Sequence, residues 1–551
     1  MQAEHSEDMS PYAEFAAAAR KFSSSPFFCL TSQAASSYGV EPCELTYAEA
    51  FDRVSELQVA YRNRSYGLGH RVGLLLQNRP EFFFHFLALN GLGASVLPID
   101  AALPVNDIAY QVGHSDVCVL ICLPGVAEHV AEAVELSGSQ TPVVTTDRFR
   151  KLPAANTPSR AQAASPATEA ALVYTSGTTG QPKGCMLSNE YFVGISQWYL
   201  DQGGYCALEP GRERLITPLP VNHMNSLACS TMVMIMTGGC IVQLDRFHPS
   251  TWWQSVRESQ ATIVHYLGVM PAMLLNLPES SDDNIGEQIK FGFGAGVDGR
   301  HHLAFEQRFG FPLIEGWSMT ETGAGAAISA CDDPRHVGTR CFGKAPATLE
   351  YRLVDESGAD VPEGEPGELL VRTVGKRPRQ NFFSGYYKDE AATAEAWADG
   401  WFHTGDVVRI DAEGSFYFVD RRKNVIRRSG ENIAALEVEA SLLQQATVDS
   451  CAVAPVPDEI RGEEVMACIV LAPGTDPTAA TAENVVCSTM DTLVYFKAPG
   501  YVAFVERLPM TGSQKIQRGE VKKLCVELLE SGDCFDLREQ KRRRKPATHS
   551  A

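Results

Sequence analysis

No stretch of the 551-residue chain approaches the roughly 18 consecutive apolar residues that a membrane-spanning helix needs, so no membrane span is expected. Basic charge is short as well: 47 Lys and Arg face 67 Asp and Glu, for a formal net charge of −20. A field of that sign repels polyanions, which argues against general affinity for nucleic acid or anionic membranes. Any anionic ligand must therefore be met by local attraction. The 15 cysteines show neither CxxC nor Cys/His metal spacing, and several, such as Cys118 and Cys122 in VCVLIC, lie in apolar runs. Buried, reduced thiols are the better reading, and a zinc site is not expected. The opening residues MQAEHSEDMS are acidic where a secretory signal is basic and then apolar, and a cytoplasmic protein is expected.

What is present describes a globular chain, with 44% hydrophobic and 21% charged residues. Its length is too great for one ordinary core, so two or more domains are expected. From Leu45 onward helical and strand-like segments alternate. LTYAEAFDRVSELQVAYRNR has helical spacing, RVGLLLQN reads as a buried strand, PEFFFHFLALNGLG as a helix opened by Pro80, and ASVLPI as the next strand. This β-α-β order implies a mostly parallel sheet flanked by helices, with ligands bound where strands end.

KLPAANTPSRAQAASPAT, residues 151–168, reads as a surface connection, and a second alternating block then runs to about residue 345. LEYRLVDESGADVPEGEPGELLVRT has period-two strands and Gly/Pro turns, which suggests a small antiparallel β sub-barrel, and SFYFVDRRKNVIRRSG looks like a further hairpin. The fold class expected is α/β, with a large N-terminal domain over 1–420 and a small mobile α+β domain over 421–525. Residues 526–551 form a tail whose basic end, KRRRKPATHSA, is read as solvated rather than as a nucleic-acid signal.

LVYTSGTTGQPKGCM, residues 172–186, carries the first chemistry. It runs from an apolar strand into hydroxyls (Thr175, Ser176, Thr178, Thr179), glycines (Gly177, Gly180, Gly184) and Lys183. Backbone N–H groups and hydroxyls in such a run can enclose polyphosphate oxygens, and the lysine adds a mobile charge. The spacing is not that of a Walker loop, because Gln181 and Pro182 separate Gly180 from Lys183. Taken alone, the run could be a turn that needs glycine only for its geometry, a reading weakened by its many hydroxyls.

The loop resembles the phosphate loop of the adenylate-forming superfamily, which includes acyl-CoA synthetases, carrier-protein adenylation domains and beetle luciferases. Six further stretches resemble the same family in order: PLPVNHMNS, FGFGAG, EGWSMTETG, DGWFHTGD, FVDRRKNVIRRSGENI and LPMTGSQKIQR, within a span of roughly Leu45 to Leu524. The nearest branch by resemblance is that of the carnitine and crotonobetaine CoA ligases.

The resemblance implies roles for particular residues. Thr175 to Gly180 and Lys183 would hold the β- and γ-phosphates, and Gly294, Ala295 and Gly296 would pass along the adenine. Glu315, Gly316 and Trp317 would complete that wall, with Trp317 stacking on the base, although a buried core tryptophan is the plainer alternative. Thr320 would bond a phosphate, and Glu321 would ligate Mg²⁺, since a hard cation on ATP needs a carboxylate oxygen beside the phosphates. Asp406 would accept the ribose hydroxyls, assisted by Arg421 and with Phe418 nearby; otherwise Asp406 caps a turn and Arg421 decorates a hairpin. Lys515 would bridge carboxylate and α-phosphate, and Gln514 stands where the family usually has glycine. Lys423 would be a hinge, and Arg427, Arg428, Ser429 and Gly430 would face coenzyme A.

His223 matches the ring found between acyl pocket and thiol entrance in acyl-CoA ligases, a core histidine being the alternative. With it, Asn225, Ser226, Val269, Phe293, Ser318 and Gly323 would line the acyl pocket, whose composition suggests a mostly apolar group of modest size. Amino-acid-activating relatives generally place an aspartate near this histidine, and Asn222 and His223 offer none. The function implied is an ATP-dependent acid–CoA ligase that proceeds through an acyl-adenylate. Its partners would be a small carboxylic acid, ATP with Mg²⁺, and coenzyme A, with self-association into a homodimer allowed. A free-standing enzyme that loads a carrier-protein thiol stays open beside it, as does a non-catalytic nucleotide sensor, against which Glu321, Asp406, Arg421 and Lys515 speak together.

Overall fold

The computed structural model describes residues 9–175, 181–428, 431–459, 461–510 and 516–541. The chain divides into two compact units: Met1–Tyr351 with Val371–His403 and Gly414–Phe416, and Arg352–Leu370 with Thr404–Glu413 and Tyr417–Ala551. The units do not part at a single cut near 420. Segments 352–370 and 404–413, expected with the N-terminal domain, group with the C-terminal chain.

The first unit holds two large sheets with helices between their strands. In the seven-stranded sheet, Arg71–Leu75 pairs in parallel with Ser95–Pro98 and with Val119–Cys122. These strands are short and almost wholly buried, the pattern of a parallel sheet covered on both faces. The helix Tyr47–Arg62 opens on a capping box, with the Thr46 hydroxyl accepting from Glu49 N while Glu49 reaches back to Thr46 N. Pro80 occupies the first turn of Pro80–Asn90, where no N–H is needed, and every residue from Phe82 to Asn90 is buried. In the eight-stranded sheet, Arg214–Thr217, Cys240–Gln243, Ile263–Leu267, Phe291–Ala295 and Leu313–Trp317 run parallel. Among the described residues no helix is long and apolar enough to cross a membrane.

A five-stranded sheet has the strand order Cys341–Lys344, Ser415–Arg421, Phe402–Ile410, Gly367–Thr373, Leu349–Val354. The expected hairpin over 415–430 is instead a crossing between sheets. Ser415–Arg421 belongs to this group, whereas Val425–Arg428 pairs with Glu431–Ala434 in a separate six-stranded sheet, and the short turn Arg422–Asn424 joins them. Buried Asp420 pins the crossing: its carboxylate accepts from Arg421 N at 2.7 Å, Asn424 Nδ2 at 3.2 Å and Leu436 N at 2.9 Å. The six-stranded sheet packs on Ala435–Leu442, Ala479–Thr492 and Arg518–Ser531, its core built from Ile426, Val438, Val465, Ile469, Val485 and Val502.

The tail is shorter than its composition suggests. Phe535–Asp536 adds to Tyr501–Val502 as an antiparallel pair, and Arg538 meets Asp458 at 3.0 Å. Lys541, the first residue of the basic cluster, is fully buried against Glu464 at 2.6 Å. All 15 cysteines are free thiols and most are buried.

Candidate active site

The TSGTTGQPKG stretch bridges the two strands of a hairpin. Glu169–Thr175 pairs antiparallel with Lys183–Ser188, and Thr175 lies opposite Lys183. This geometry explains the departure from Walker spacing, since no helix follows the glycines and the lysine sits on the returning strand. Ser176, Gly177, Thr178, Thr179 and Gly180 lie outside the described residues. Tyr110 donates to the Pro182 carbonyl at 3.0 Å and stacks on His114, which meets Tyr174 Oη at 2.7 Å, so both stems of the hairpin are braced by aromatic side chains.

Leu313–Trp317 ends in a tight turn that carries Ser318 to Thr322. Thr322 Oγ1 accepts from Met319 N at 2.9 Å, and Ser318 Oγ donates to the Gly323 carbonyl at 2.9 Å. The turn leaves Ser318 exposed and Thr320 half-exposed. It places Glu321, 8% exposed, so that Oε1 accepts from Thr175 Oγ1 at 3.4 Å and from Tyr386 Oη at 3.1 Å. Gly323 follows at φ +48°, where a Cβ would lie 2.4 Å from the Tyr191 ring. Thr175, Lys183 and Glu321 are thus brought together, and Tyr386, not among the residues expected there, joins them. Burial, and then the Glu321 carboxylate, push the Tyr386 phenol far above its usual range, so it is a donor at every working pH.

The neighbouring wall is built by close approach. A Cβ on Gly294 would meet the Tyr266 carbonyl at 2.4 Å, and one on Gly316 the Phe293 ring at 2.9 Å. Ala295 and Gly296 are exposed. Glu315 was expected at the nucleotide, but its carboxylate is engaged by protein: Oε1 accepts from Tyr266 Oη at 2.8 Å and Oε2 from Gly296 N at 2.9 Å. Burial raises its pKa, and its work is to shape the 295–297 turn. Trp317 is 7% exposed and stacks on Phe342, with centroids 5.9 Å apart, so the plainer reading of this tryptophan holds for one of its faces.

The acyl-pocket candidates separate by burial. His223 is exposed just before the π-helical turn Asn225–Ser230, and Asn225 accepts from Ser230 Oγ at 3.0 Å through its carbonyl. π turns of this kind concentrate at functional sites. Ser226 is corrected to a core residue: it is fully buried and donates to Gln243 Oε1 at 2.9 Å. Val269 is half-buried at the start of Val269–Leu275. Phe293 packs on Tyr199 at 4.8 Å and on His265 at 5.6 Å. His265 bonds Tyr199 Oη at 3.1 Å and Ser230 Oγ at 2.8 Å, and burial holds its pKa down to about 3, so this ring stays neutral.

In the second unit, buried Asp406 on Phe402–Ile410 faces Arg421 on Ser415–Arg421, Oδ1 to Nε 2.5 Å, and Phe418 is half-buried on the same strand as Arg421. The expected pairing of these two residues is present. Lys423 lies in the turn between sheets. Arg427 is exposed and pairs with Glu356. Arg428 differs from its expected place at coenzyme A. Its guanidinium is 5% exposed and donates to both Glu464 oxygens at 2.8 Å, in a cluster with Arg461 and Lys541, so it is committed to the interior. Burial, only partly offset by Glu464, lowers the Lys541 ammonium to about 8. Ser429, Gly430 and Lys515 lie outside the described residues.

The profile of the AMP-binding enzyme family matches residues 15–387, and that of the AMP-binding enzyme C-terminal domain matches 437–515. The chain belongs to the AMP-binding enzyme family. Among curated relatives, this AMP-binding enzyme is 31% identical to a sulfoacetate–CoA ligase of Cupriavidus necator over 486 residues, covering 86% of this chain and 91% of the relative. It is 28% identical to a crotonobetaine/carnitine–CoA ligase of Escherichia coli over 468 residues, covering 82% and 88%. Its fold is shared with the o-succinylbenzoate CoA synthetase of Bacillus subtilis solved with its acyl-adenylate intermediate, at a TM-score of 0.76 and 24% identity over 92% of this chain and 97% of the other.

Proposed function

We propose that this AMP-binding enzyme is an ATP-dependent acid–CoA ligase: it forms an acyl-adenylate from a carboxylic acid and ATP, then transfers the acyl group to coenzyme A and releases AMP. The observation that carries the reading is the Glu321 carboxylate held 3.4 Å from Thr175, at the stem of the phosphate-loop hairpin. A carboxylate and a hydroxyl oxygen so placed are hard donors that fit Mg²⁺. When bound, the ion would offset phosphate charge.

The chain's own residues have definite tasks. Two anions must meet for an oxygen of the substrate carboxylate to attack the α-phosphorus and break its bond to the bridging oxygen of pyrophosphate. Thr175 and Lys183 hold the departing β- and γ-phosphates. Asp406, oriented by Arg421, takes the ribose, and Lys515 binds between carboxylate and α-phosphate as charge develops there. In the second step the thiol attacks the acyl carbon, AMP leaves with the electron pair of the C–O bond, and the thiol proton passes to solvent. The crossing at Arg422–Asn424 is the hinge that exchanges Lys515 for the thiol, and exposed Arg427 contributes a cation for coenzyme A phosphates.

The acid is a small carboxylic acid without an α-amino group. Asn222 and His223 provide no carboxylate for an ammonium, and Phe293 is an apolar ring packed on Tyr199 and His265. Full-length enzyme with Mg-ATP and a panel of such acids tests the reading, with coenzyme A and a phosphopantetheinylated carrier protein as rival acceptors. Acid-dependent pyrophosphate release and a thioester on coenzyme A are expected. Thioester on the carrier alone would replace the acceptor, and no acid-dependent pyrophosphate release across the panel would overturn the reading.

A further inference from the structure

The hairpin that holds the phosphate loop has a third strand, and the residue at its edge touches both charged groups of the site. Gly385–Tyr386 pairs antiparallel with Lys183–Ser188, Tyr386 opposite Cys185. The backbone around it is fixed on both sides: Ser384 N donates to the Met186 carbonyl at 2.8 Å, Tyr386 N to Thr393 Oγ1 at 2.9 Å, and Tyr387 N to the Gly184 carbonyl at 2.8 Å. The Phe383 ring stands edge-on to Tyr386 at 4.8 Å, and Phe383 N donates to the Glu321 carbonyl at 2.9 Å. The backbone on both sides of Tyr386 is thus held by hydrogen bonds. The Tyr386 ring lies under Lys183, with Nζ 4.9 Å from the centroid, and its hydroxyl donates to Glu321 Oε1 at 3.1 Å.

We propose that Tyr386 is a positioning residue that sets the loop lysine and the metal-ligand carboxylate in one fixed relation, using its ring for Lys183 and its hydroxyl for Glu321. The two functions are chemically separable. A cation over an aromatic face is held by the ring quadrupole and does not need the hydroxyl. A carboxylate turned by a donor on one oxygen presents the other in a defined direction, as partners behind a metal ligand do. Tyr386 touches neither substrate nor ion, and acts through the two residues that would.

The inference rests on the reading of Glu321 as the Mg²⁺ ligand, and the experiment separates the two. Mn²⁺ serves as the probe, its binding to full-length enzyme followed by electron paramagnetic resonance in the presence of an ATP analogue with a methylene between the α- and β-phosphates. In parallel, the KM for ATP is measured by pyrophosphate release at saturating Mg²⁺. Tyr386→Phe keeps the ring and loses the donor, and is expected to weaken Mn²⁺ binding about tenfold, with the KM for ATP within about twofold of the parent. Tyr386→Leu loses both, and is expected to add a rise of about fivefold in the KM for ATP. A merely structural tyrosine would move both readouts together in Tyr386→Leu and neither in Tyr386→Phe.

Glu321→Gln is the reference. If it abolishes tight Mn²⁺ binding while Tyr386→Phe binds Mn²⁺ like the parent, the inference about Tyr386 is overturned and the metal reading stands. If Glu321→Gln leaves Mn²⁺ binding intact, the metal reading fails, and the inference falls with it.

Discussion

The Asp406 carboxylate, 1% exposed, meets the Arg421 guanidinium at 2.5 Å across two neighbouring strands. A carboxylate so fully desolvated is costly unless its lone pairs are used, and Arg421 supplies one such partner. Ribose hydroxyls are the donors proposed. Asp406→Ala is therefore expected to erase the preference for ATP over 2′-deoxy-ATP in pyrophosphate release, as well as lowering kcat/KM about 10²-fold with ATP. Steady-state kinetics with the two nucleotides checks this, and a preserved preference would remove Asp406 from the ribose.

Glu306 supports the site from a distance. It accepts from Leu313 N at 2.8 Å, at the start of the strand that leads to Glu321, and it is gripped by Arg335 at 2.7 and 2.9 Å, with His302 at 3.2 Å. Burial alone would raise its pKa, but Arg335, His302 and the Leu313 amide together hold it down to about 2. Because the folded pKa lies below the unfolded one, the stabilisation is fully present above about pH 4.5 and is lost as pH falls toward 2. Its size is on the order of 3 kcal/mol. The gap in unfolding temperature between parent and Glu306→Gln is expected to be wide at pH 6 and to close on acidification, as thermal unfolding at stepped pH would record.

Much of this was readable in the linear sequence, for physical reasons that also mark where reading stopped. Helix Tyr47–Arg62 announces itself through its apolar spacing, helix Pro80–Asn90 through Pro80, and the parallel strands through short runs of buried aliphatics, because these are local signals. The Asp406–Arg421 pair and the approach of Thr175 to Glu321 were reached through ordered motifs, since 146 positions separate the latter two. Tyr386 is not marked out in the sequence: SGYYKD has no property that tells which tyrosine faces a site, and only the third strand of the hairpin decides it. The side chains of Glu315, Ser226 and Arg428 have protein partners where a ligand is expected, for one shared reason. A polar residue in a motif can face a ligand or satisfy the backbone behind it, and residue type does not separate the two.

Arg427 and Arg428 offer a direct contrast between adjacent residues. Removing the Arg428 side chain takes a charge-assisted hydrogen bond from buried Glu464, which keeps Lys541 and Arg461 as partners, a loss expected to cost roughly 1.5–3 kcal/mol. Arg427→Ala removes an exposed cation and is expected to leave the unfolding temperature unchanged within error, raising only the KM for coenzyme A. Calorimetry and thioester kinetics on the two variants distinguish them, and the opposite pattern would return Arg428 to the coenzyme.

Lys515 is assigned to adenylation alone. Lys515→Ala is expected to lower acid-dependent pyrophosphate release by about 10²-fold or more. The same variant, given a synthetic acyl-adenylate and coenzyme A, is expected to form thioester at a rate near that of the parent. Equal loss in both half-reactions would place the lysine in a general structural role.

The path of one oxygen atom tests the central claim most directly. An acid labelled with ¹⁸O in both carboxylate positions, converted by the enzyme with unlabelled ATP and coenzyme A, must hand one carboxylate oxygen to the α-phosphorus if an acyl-adenylate lies on the path. Mass spectrometry is expected to find one ¹⁸O in the AMP and none in the pyrophosphate. Unlabelled AMP, or label in inorganic phosphate with ADP as the nucleotide product, would contradict the account.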